Sequence, residues 1–356
     1  MRQSSKILAM VIGWTLFASL SLGASPDVTK IAFGSCAHED RPQPIWQSVI
    51  KEEPDAFLML GDNIYADTTD IQVMRDKYAQ LASNKAFQEA RKAMPFFATW
   101  DDHDYGQNDA GREYPRKEES QEAFLDFWGV KENSPRRQQE GVYSSEILGS
   151  EGRRVQIIML DTRYFRTSLK RRLKRYVPDW NPASSMLGER QWTWLEAELK
   201  KPADVRIIGS SIQFASDRHG FETWGNMPLE RKRLLDLIAS TKAGGVVIVS
   251  GDRHFAEISQ IPKDASLYPI YDFTSSGLND AHNGSDEVNP YRIAPKRTFA
   301  GANFGTISIL WTAQNGPLVE LKIHDLKGQS AVTEKIHLKA LGFDVTRMQK
   351  NQSSQP

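Results

Sequence analysis

The stretch AFLMLGDNIYAD, residues 56–67, decides the predicted fold because an apolar run ends abruptly in Gly61 and Asp62. A short apolar run bounded by turn residues predicts a buried strand. A carboxylate directly after such a strand lies at the carboxyl edge of the sheet, where open α/β folds bind their ligands. Tyr65, three residues after Asp62, adds a phenol that indicates a hard trivalent ion. The alternative is an ordinary turn with a solvated aspartate.

Apolar runs and helix-like patterns alternate through most of the chain and predict an α/β fold with mixed sheets. The predicted strands are 31–33, 56–60, 95–99, 155–160, 205–208 and 246–249. The predicted helices are 45–51, 73–93, 120–127, 189–200 and 229–240. Later runs without helices between them predict antiparallel strands at 270–274, 306–311 and 319–324.

Polar clusters follow four of the predicted strands and repeat one type of chemistry. They are GSC at 34–36, GD at 61–62, WDDHD at 100–104 and SGDRH at 250–254. Three of the four contain aspartate and two of these add a nearby histidine. A two-metal centre needs this many donors, because it requires a bridging carboxylate and separate ligands for each ion.

Cys36 is the only cysteine of the chain, so no intramolecular disulfide can form. It ends an apolar run just as Asp62 does, and we expect both side chains at the same edge of one sheet. A buried small hydrophobic residue is the usual role of a free cysteine. A thiolate held by a metal is the alternative that protects the sulfur in an oxidising compartment.

The amino terminus predicts a Sec-type signal peptide at residues 1–24. Arg2 and Lys6 precede an apolar run at 7–22, and small residues follow it. The run is short and interrupted by polar residues, which favours cleavage over the alternative of a membrane anchor. We therefore expect an exported protein, periplasmic or extracellular, without a stable membrane anchor after cleavage.

Composition argues against nucleic acid as a partner. The chain has 45 Lys+Arg and 45 Asp+Glu, and loss of the leader leaves a nearly neutral, slightly acidic protein. A quarter of the residues are charged and 40% are hydrophobic, so the chain can bury a substantial core. No composition shift or repeat marks a boundary, and residues 25–356 are predicted to form a single domain.

Five motifs, in this order, resemble the PhoD-type alkaline phosphatases of the calcineurin-like metallophosphatase superfamily: GSC, GDNIYAD, ATWDDHDYGQND, LDTRYFR and SGDRHFAE. The similarity extends over about residues 31–305. It implies a four-layer α/β/β/α sandwich with two mixed sheets, without the separate amino-terminal β-domain of some members. GDNIYAD is also similar to the block that supplies an aspartate and a tyrosine to iron in purple acid phosphatases.

The resemblance implies a binuclear centre in which Asp62 bridges the two ions. It assigns Cys36, Tyr65 and His254 to Fe³⁺, and Asp102 and Asp252 to a divalent partner. Most of the superfamily has Asp-x-His, Asn-His and His-x-His where this chain has Cys36, Asp102-His103 and Asp252-x-His254. The extra oxygen ligands favour Ca²⁺ at the divalent position, with Mg²⁺, Mn²⁺ or Zn²⁺ as the other candidates.

The resemblance also assigns catalytic and substrate-binding residues. His103 is predicted to be a general acid, or else to orient Asp102 from behind. Arg163 is predicted to grip a phosphate oxygen, with help from Asn63, and the alternative for Arg163 is a solvated loop. The superfamily's middle histidine is missing, and Ser211 or Gln213 could take its place or only satisfy neighbouring groups. His38 stays undecided, whereas the remaining histidines are interpreted as surface or structural residues: His219, His282, His324 and His337.

The implied activity is hydrolysis of a phosphate monoester or diester, with a metal-bridging hydroxide attacking phosphorus in line. A non-catalytic exported metal-binding module is the alternative. Two other segments stay open. The basic run 166–175 either attracts an anionic substrate or forms a solvated loop. The tail 338–348 either covers the site as a short helix or frays.

Overall fold

Strand β2 (Ala56–Leu60) forms over the residues predicted for it, and all five of its side chains are buried. Phe57 and Met59 pack with helices, whereas Leu58 and Leu60 pack with a second sheet. Side chains of a strand alternate between the two faces of its sheet, so a run that is apolar throughout needs cover on both sides. The computed structural model, which describes residues 27, 29–282, 288–293, 298–313 and 316–343, provides that cover.

The other strands and the helices have these bounds. The strands are β1 (Lys30–Gly34), β3 (Phe96–Thr99), β4 (Ser144–Leu148), β5 (Val155–Met159), β6 (Arg171–Arg172), β7 (Arg175–Tyr176), β8 (Val205–Ser210), β9 (Val246–Ser250), β10 (Ala256–Ile261), β11 (Ile270–Ser275), β12 (Thr298–Phe299), β13 (Asn303–Leu310), β14 (Leu318–Asp325) and β15 (Ser330–His337). The helices are α1 (Ile45–Lys51), α2 (Ile71–Ser83), α3 (Lys85–Ala93), α4 (Asp102–Tyr105), α5 (Lys117–Phe127), α6 (Gly188–Leu199) and α7 (Pro228–Ser240).

Two large mixed sheets lie face to face. The first has the order β15-β14-β13-β1-β2-β3, in which β1, β2 and β3 are parallel and β13 to β15 are antiparallel. The second has the order β12-β10-β11-β9-β8-β5-β4, with a parallel centre of β5, β8, β9 and β11. Strands β6 and β7 form a separate two-stranded hairpin.

Helices cover the outer face of each sheet. The first sheet packs on α1 to α5 through a cluster that contains Trp46, Tyr78 and Phe124. The second sheet packs on α6 and α7, and its cluster continues through the space between the sheets. The result is the predicted four-layer α/β/β/α sandwich with two mixed sheets.

Three predictions about elements need correction. The predicted helix 73–93 is two helices, because Asn84 adopts an extended backbone between α2 and α3. Strand β11 was expected to be purely antiparallel, but it runs parallel to β9 and antiparallel to β10. Neither alternative for the tail holds for residues 338–343. They form a short helical turn, and Leu341 accepts from the amide of Gly245 before β9, at the edge of the sheet opposite Asp252.

The predicted signal peptide, residues 1–24, lies outside the described residues, as do residues 344–348 of the tail. Within the ranges that are described, no helix combines the length and apolar character that crossing a membrane requires.

Candidate metal centre

The carboxyl ends of the parallel strands of both sheets meet at one place. The amide of Gly251, directly after β9, donates to the carbonyl of Ser211, directly after β8, at 3.0 Å. A Cβ at Gly251 would lie 2.5 Å from the hydroxyl oxygen of Ser35, after β1 in the other sheet. Only glycine allows so close an approach. The polar clusters that follow the strands of both sheets are thereby brought together.

Cys36, Asp62 and His254 form the first group of donors, with ligand atoms within 4.8 Å of one another. The Cys36 Sγ lies 3.3 Å from Asp62 Oδ2 and 3.1 Å from the hydroxyl of Ser276. Burial raises the pKa of the Cys36 thiol to about 11. The predicted placement of Cys36 and Asp62 at one sheet edge is confirmed, and a nearby cation would be needed to hold the sulfur as a thiolate at neutral pH.

Tyr65 lies over this first group. Its ring stacks on His38 at 4.6 Å and contacts His103 at 4.5 Å between ring centroids. Burial, with the neighbouring Cys36 and Asp62, raises the pKa of Tyr65 well above its ordinary range. The buried hydroxyl makes no hydrogen bond of normal geometry to the described residues, so it is free to face an ion.

The second group contains Asp101, Asp102 and Asp252, and it joins the first because Asp62 also lies within ligand distance of Asp102 and His103. Asp101 was not among the predicted ligands. A Cβ at Gly61 would lie 2.5 Å from the Asp101 Cβ, so glycine at that position lets the ends of β2 and β3 come together. Asp62 therefore lies within ligand distance of the first group and of Asp102 in the second, and it links the two.

Backbone conformation singles out the same residues. Cys36, Asp62, Asp252 and His254 have φ angles of 61°, 49°, 70° and 57°. Left-handed conformations are uncommon for residues other than glycine and cluster at functional sites. Four of the six predicted metal ligands therefore carry a conformational cost that the surrounding structure has to offset.

The electrostatics of the two groups fit bound cations. Burial and neighbouring acids raise the pKa of both Asp62 and Asp101 well above the ordinary range, and burial also raises that of Asp252. One oxygen of Asp62 and one of Asp101 are buried without a hydrogen-bond partner among the described residues. Buried charges are normally paired or coordinate metals. Sulfur, imidazole and phenol meet a carboxylate in the first group, whereas the second group is composed of carboxylates.

His103 is held by an acid on its far side. Its Nδ1 lies 2.7 Å from Asp67 Oδ2, which leaves Nε2 as the second ring nitrogen available to the site. Burial alone would lower the pKa of His103, but the hydrogen bond to Asp67 and the charges of Asp62 and Asp102 raise it to about 11. A carboxylate behind a histidine fixes the tautomer and orientation of the ring.

Arg163 is not on a solvated loop, since its side chain is fully buried. The guanidinium contacts Asp101 at 2.5 Å and Glu222 at 2.6 Å. Asn63 is also fully buried, and its amide donates to the carbonyl of Thr99 at 3.0 Å. Both predicted substrate-binding residues thus lie beside the predicted metal ligands, and their hydrogen-bond donors contact other groups of the protein.

Sequence reasoning missed several neighbours of the site. Glu222 joins Arg163 to Arg166, and no motif marked it. His282, interpreted as a surface or structural residue, stacks on His254 with ring centroids 4.6 Å apart. Asn303 accepts from the Ser275 hydroxyl and donates to the carbonyl of Ser276. The loop after β11 that contacts Cys36 is therefore tied to β13.

The two candidates for the missing histidine differ in position. The Ser211 hydroxyl donates to Asp101 at 2.6 Å, so it supports the second group. The Gln213 amide instead donates to Glu257 at 2.7 Å and to Thr274 at 3.0 Å. His38 reaches the site through its stacking on Tyr65, with Nδ1 2.7 Å from Asp40.

Comparison with known proteins gives one family and several related structures. A family model described as PhoD-like phosphatase matches residues 31–304. Alkaline phosphatase D of Bacillus subtilis (strain 168) is 26% identical over an alignment of 315 residues, and the match covers 74% of this chain and 53% of that protein. The chain therefore spans about half the length of this curated relative.

Three solved structures share the fold. A structure of PhoD matches with a TM-score of 0.66 and 21% identity, over 88% of this chain and 72% of that one. GAP50, described as the anchor in the inner membrane complex of Plasmodium, matches at 0.57 and 16%, over 93% and 96%. A dimetal phosphatase from Danio rerio matches at 0.52 and 12%, over 88% and 99%. At these identities the likeness shows the fold alone.

Proposed function

The chain belongs to the PhoD-like phosphatase family, and from that premise we propose that it is a metal-dependent phosphoric ester hydrolase. The observation that carries this proposal is the position of Asp62, which contributes to two adjoining groups of donors from both sheets. A shared carboxylate between two ligand sets is what a two-metal hydrolase requires. The substrate would be a phosphate monoester or diester.

We propose that Cys36, Asp62, Tyr65 and His254 hold one ion, and that Asp62, Asp102 and Asp252 hold the other. Ca²⁺ suits the second set, because hard divalent cations prefer oxygen ligands. Fe³⁺ suits the first set, which combines a phenol and a carboxylate with sulfur and imidazole donors. When bound, the ions would polarise the phosphoryl oxygens and lower the pKa of the attacking water. Asp101 would add a further carboxylate beside Asp102.

His103 is proposed as the general acid. The contact between Nδ1 and Asp67 holds the ring in place and directs Nε2 toward the site, where a leaving oxygen would need a proton. The ring is also confined by its contact with Tyr65. The same geometry serves the alternative role of orienting Asp102, whose Oδ1 accepts from the His103 amide at 3.0 Å.

Arg163 is proposed to act by positioning rather than by gripping the phosphate. Its guanidinium is buried between Asp101 and Glu222 and reaches only 3.8 Å from Asp102. It would hold the carboxylates of the second group in place. Asn63 would likewise order the loop after β2, since its amide also contacts Asp104.

Export and the single catalytic domain over residues 25–356 are part of the proposal. The leader-like composition of residues 1–24 supports export to the periplasm or the exterior. Strands β1 and β2 contribute side chains to both apolar clusters of the described residues, which supports a single domain.

The test is release of nitrophenolate from bis(p-nitrophenyl) phosphate and from p-nitrophenyl phosphate, with protein supplied with Fe³⁺ and Ca²⁺. We expect turnover that is lost on chelation and regained on resupply of both metals. The ratio of the two rates ranks diesters against monoesters. Failure to hydrolyse either ester, with both metals bound by elemental analysis, would instead support the non-catalytic metal-binding module.

A further inference from the structure

The β6–β7 hairpin carries a concentration of positive charge that the metal centre does not use. Lys170, Arg172, Lys174 and Arg175 are exposed on it. No acidic side chain of the described residues forms an ion pair with any of these four, whereas Arg171 pairs with Asp109. Because the chain as a whole is balanced in charge, this local excess is a property of the hairpin.

The tip of the hairpin is a leucine in a costly conformation. Leu173 is 95% exposed and has a φ of 57°. Two-residue hairpin turns prefer Asn or Gly at such positions, because side chains with a Cβ are disfavoured in left-handed backbone. An apolar residue at a position where glycine would be more stable suggests a use for its side chain.

A second exposed apolar side chain lies close to the hairpin. Trp180 is 66% exposed and lines, together with Arg175 and Arg218, a cavity of about 560 Å³. Tryptophan is enriched where a protein meets the interfacial region of a bilayer, and basic residues are attracted to anionic headgroups. Exposed leucine, exposed tryptophan and unpaired cations therefore share one surface.

The hairpin is fixed to the edge of the molecule that holds the candidate metal centre. The Tyr176 hydroxyl donates to Asp109 Oδ2 at 2.6 Å, and the Asp109 amide donates to Asp102 Oδ2 at 2.7 Å. The Tyr176 amide also donates to the carbonyl of Gly220 at 2.9 Å. The basic tip is thus presented from an anchored base.

We propose that the β6–β7 hairpin, with Trp180, is a contact site for an anionic lipid surface. A soluble polyanion would account for the arginines and lysines but not for a leucine that is almost wholly exposed between them. A lipid surface accounts for both, because the basic side chains face the headgroups while the apolar tip enters the interface. Contact through the hairpin would turn the metal-binding edge of the sheets toward the bilayer.

The experiment is co-sedimentation of residues 25–356, without the apolar leader, with vesicles of 30 mol% phosphatidylglycerol in phosphatidylcholine, and with pure phosphatidylcholine vesicles. We expect binding to the anionic vesicles that weakens as salt is raised. Neutralising Arg172, Lys174 and Arg175 together to glutamine should weaken it by about a hundredfold, at roughly 1 kcal/mol for each basic residue near the surface. A triple glutamine variant of exposed lysines at the opposite edge, Lys200, Lys242 and Lys339, is the control with the same charge change and should bind like the wild type.

Leu173→Gly separates a binding defect from a folding defect, since glycine suits the positive φ at this turn position and should leave the melting temperature equal or higher. We expect it to weaken vesicle binding by about tenfold, because it removes an apolar side chain from the interface. Equal binding to neutral and anionic vesicles, or hairpin variants that bind like the wild type, would overturn the proposal. Binding of tripolyphosphate without binding of vesicles would overturn it in favour of a soluble anion. None of these outcomes depends on phosphatase turnover.

Discussion

Asp62 is the residue on which the two donor groups depend. Asp62→Asn keeps the size of the side chain but removes the charge that would lie between two cations. We expect a loss of several kcal/mol of transition-state stabilisation, at least about a hundredfold in kcat, together with loss of bound metal. Turnover of bis(p-nitrophenyl) phosphate and elemental analysis measure both effects. Asp236→Asn, the same change on the exposed face of α7, is the matched control, and wild-type turnover in Asp62→Asn would refute the shared position.

A substitution of Arg163 distinguishes its two possible roles, which are positioning of the carboxylates and binding of the phosphate. Arg163→Gln would leave Asp101 buried without its cation, whereas Glu222 would keep Arg166. Loss of one partner of a buried ion pair typically costs about 3–5 kcal/mol. Urea unfolding measures this loss, and adding Asp101→Asn to the same chain should recover part of it, because it removes the unpaired buried charge. If Arg163 instead grips the phosphate, the variant would keep its stability and lose kcat/KM only.

The metal ligands could be predicted from the sequence because they closely follow predicted strands. Cys36, Asp62, Asp102 and Asp252 each follow an apolar run closely, so their shared edge could be inferred before the sheets were known. Glu222 and His282 follow no such run, and loops placed them beside Arg163 and His254. Burial of Arg163 could not be predicted either, because the acids that pair with it lie 62 and 59 residues away along the chain.

At the scale of the element, Asn84 interrupts what the sequence presents as one helix. Its side-chain oxygen accepts from the amides of Ala86 at 3.1 Å and Phe87 at 3.2 Å, which caps α3. We expect Asn84→Ala to destabilise the protein by about 1 kcal/mol and Asn84→Asp to cost much less. Urea unfolding of both variants tests this, and equal stability of the alanine variant would show that the cap contributes nothing.

A buried acid in β11 is expected to make the stability of the protein depend on pH, and the direction of the change follows from its pKa. Asp272 accepts from the amides of Phe214 and Ala215 and from the Ser250 hydroxyl, yet burial raises its pKa to about 6. Because the folded pKa lies above the ordinary value of 3.8 for an aspartate, the stability that this group contributes is present below pH 4 and is lost as pH rises through about 6.

The free energy of unfolding of the wild type, relative to Asp272→Asn, should therefore fall by about 3 kcal/mol between pH 4 and pH 7. Chemical denaturation in the presence of a chelator measures the difference without a change in bound metal. A difference that stays constant over this range would show that Asp272 does not titrate as its burial suggests. The quantity to compare is the change of this free-energy difference with pH and not its absolute value, because the substitution also changes hydrogen bonds at every pH.

Patterns of apolar residues predicted which elements exist better than how they pair. Strand β2 and helix α1 have the predicted bounds because their patterns end at clear turn residues. The direction of β11 was not predictable, because it depends on where β9 lies and not on its own residues. Strands β10 and β15 alternate with polar residues and were not recognised as strands.

At the scale of the whole molecule, the ligands come from both sheets. Cys36 and Asp62 follow strands of the first sheet, whereas Asp252 and His254 follow a strand of the second. Bound ions would therefore link the two layers at this edge, in addition to the apolar packing between the sheets and polar contacts such as Arg163 with Asp101. Four left-handed ligand residues and several carboxylates with raised pKa values oppose folding locally, and the cations would offset that cost.

Metal removal should therefore loosen one edge of the molecule more than its centre. A ligand that binds only the folded state stabilises it by about 4 kcal/mol at a thousandfold excess over its Kd. We expect chelation to lower the melting temperature and to increase amide exchange at residues 34–36 and 250–254, in different sheets, while the strand centres stay protected. In Asp62→Asn the melting temperature should no longer depend on added metal. Loosening confined to one sheet would mean that the ions do not join the two layers, and that Asp62 serves a single ligand set.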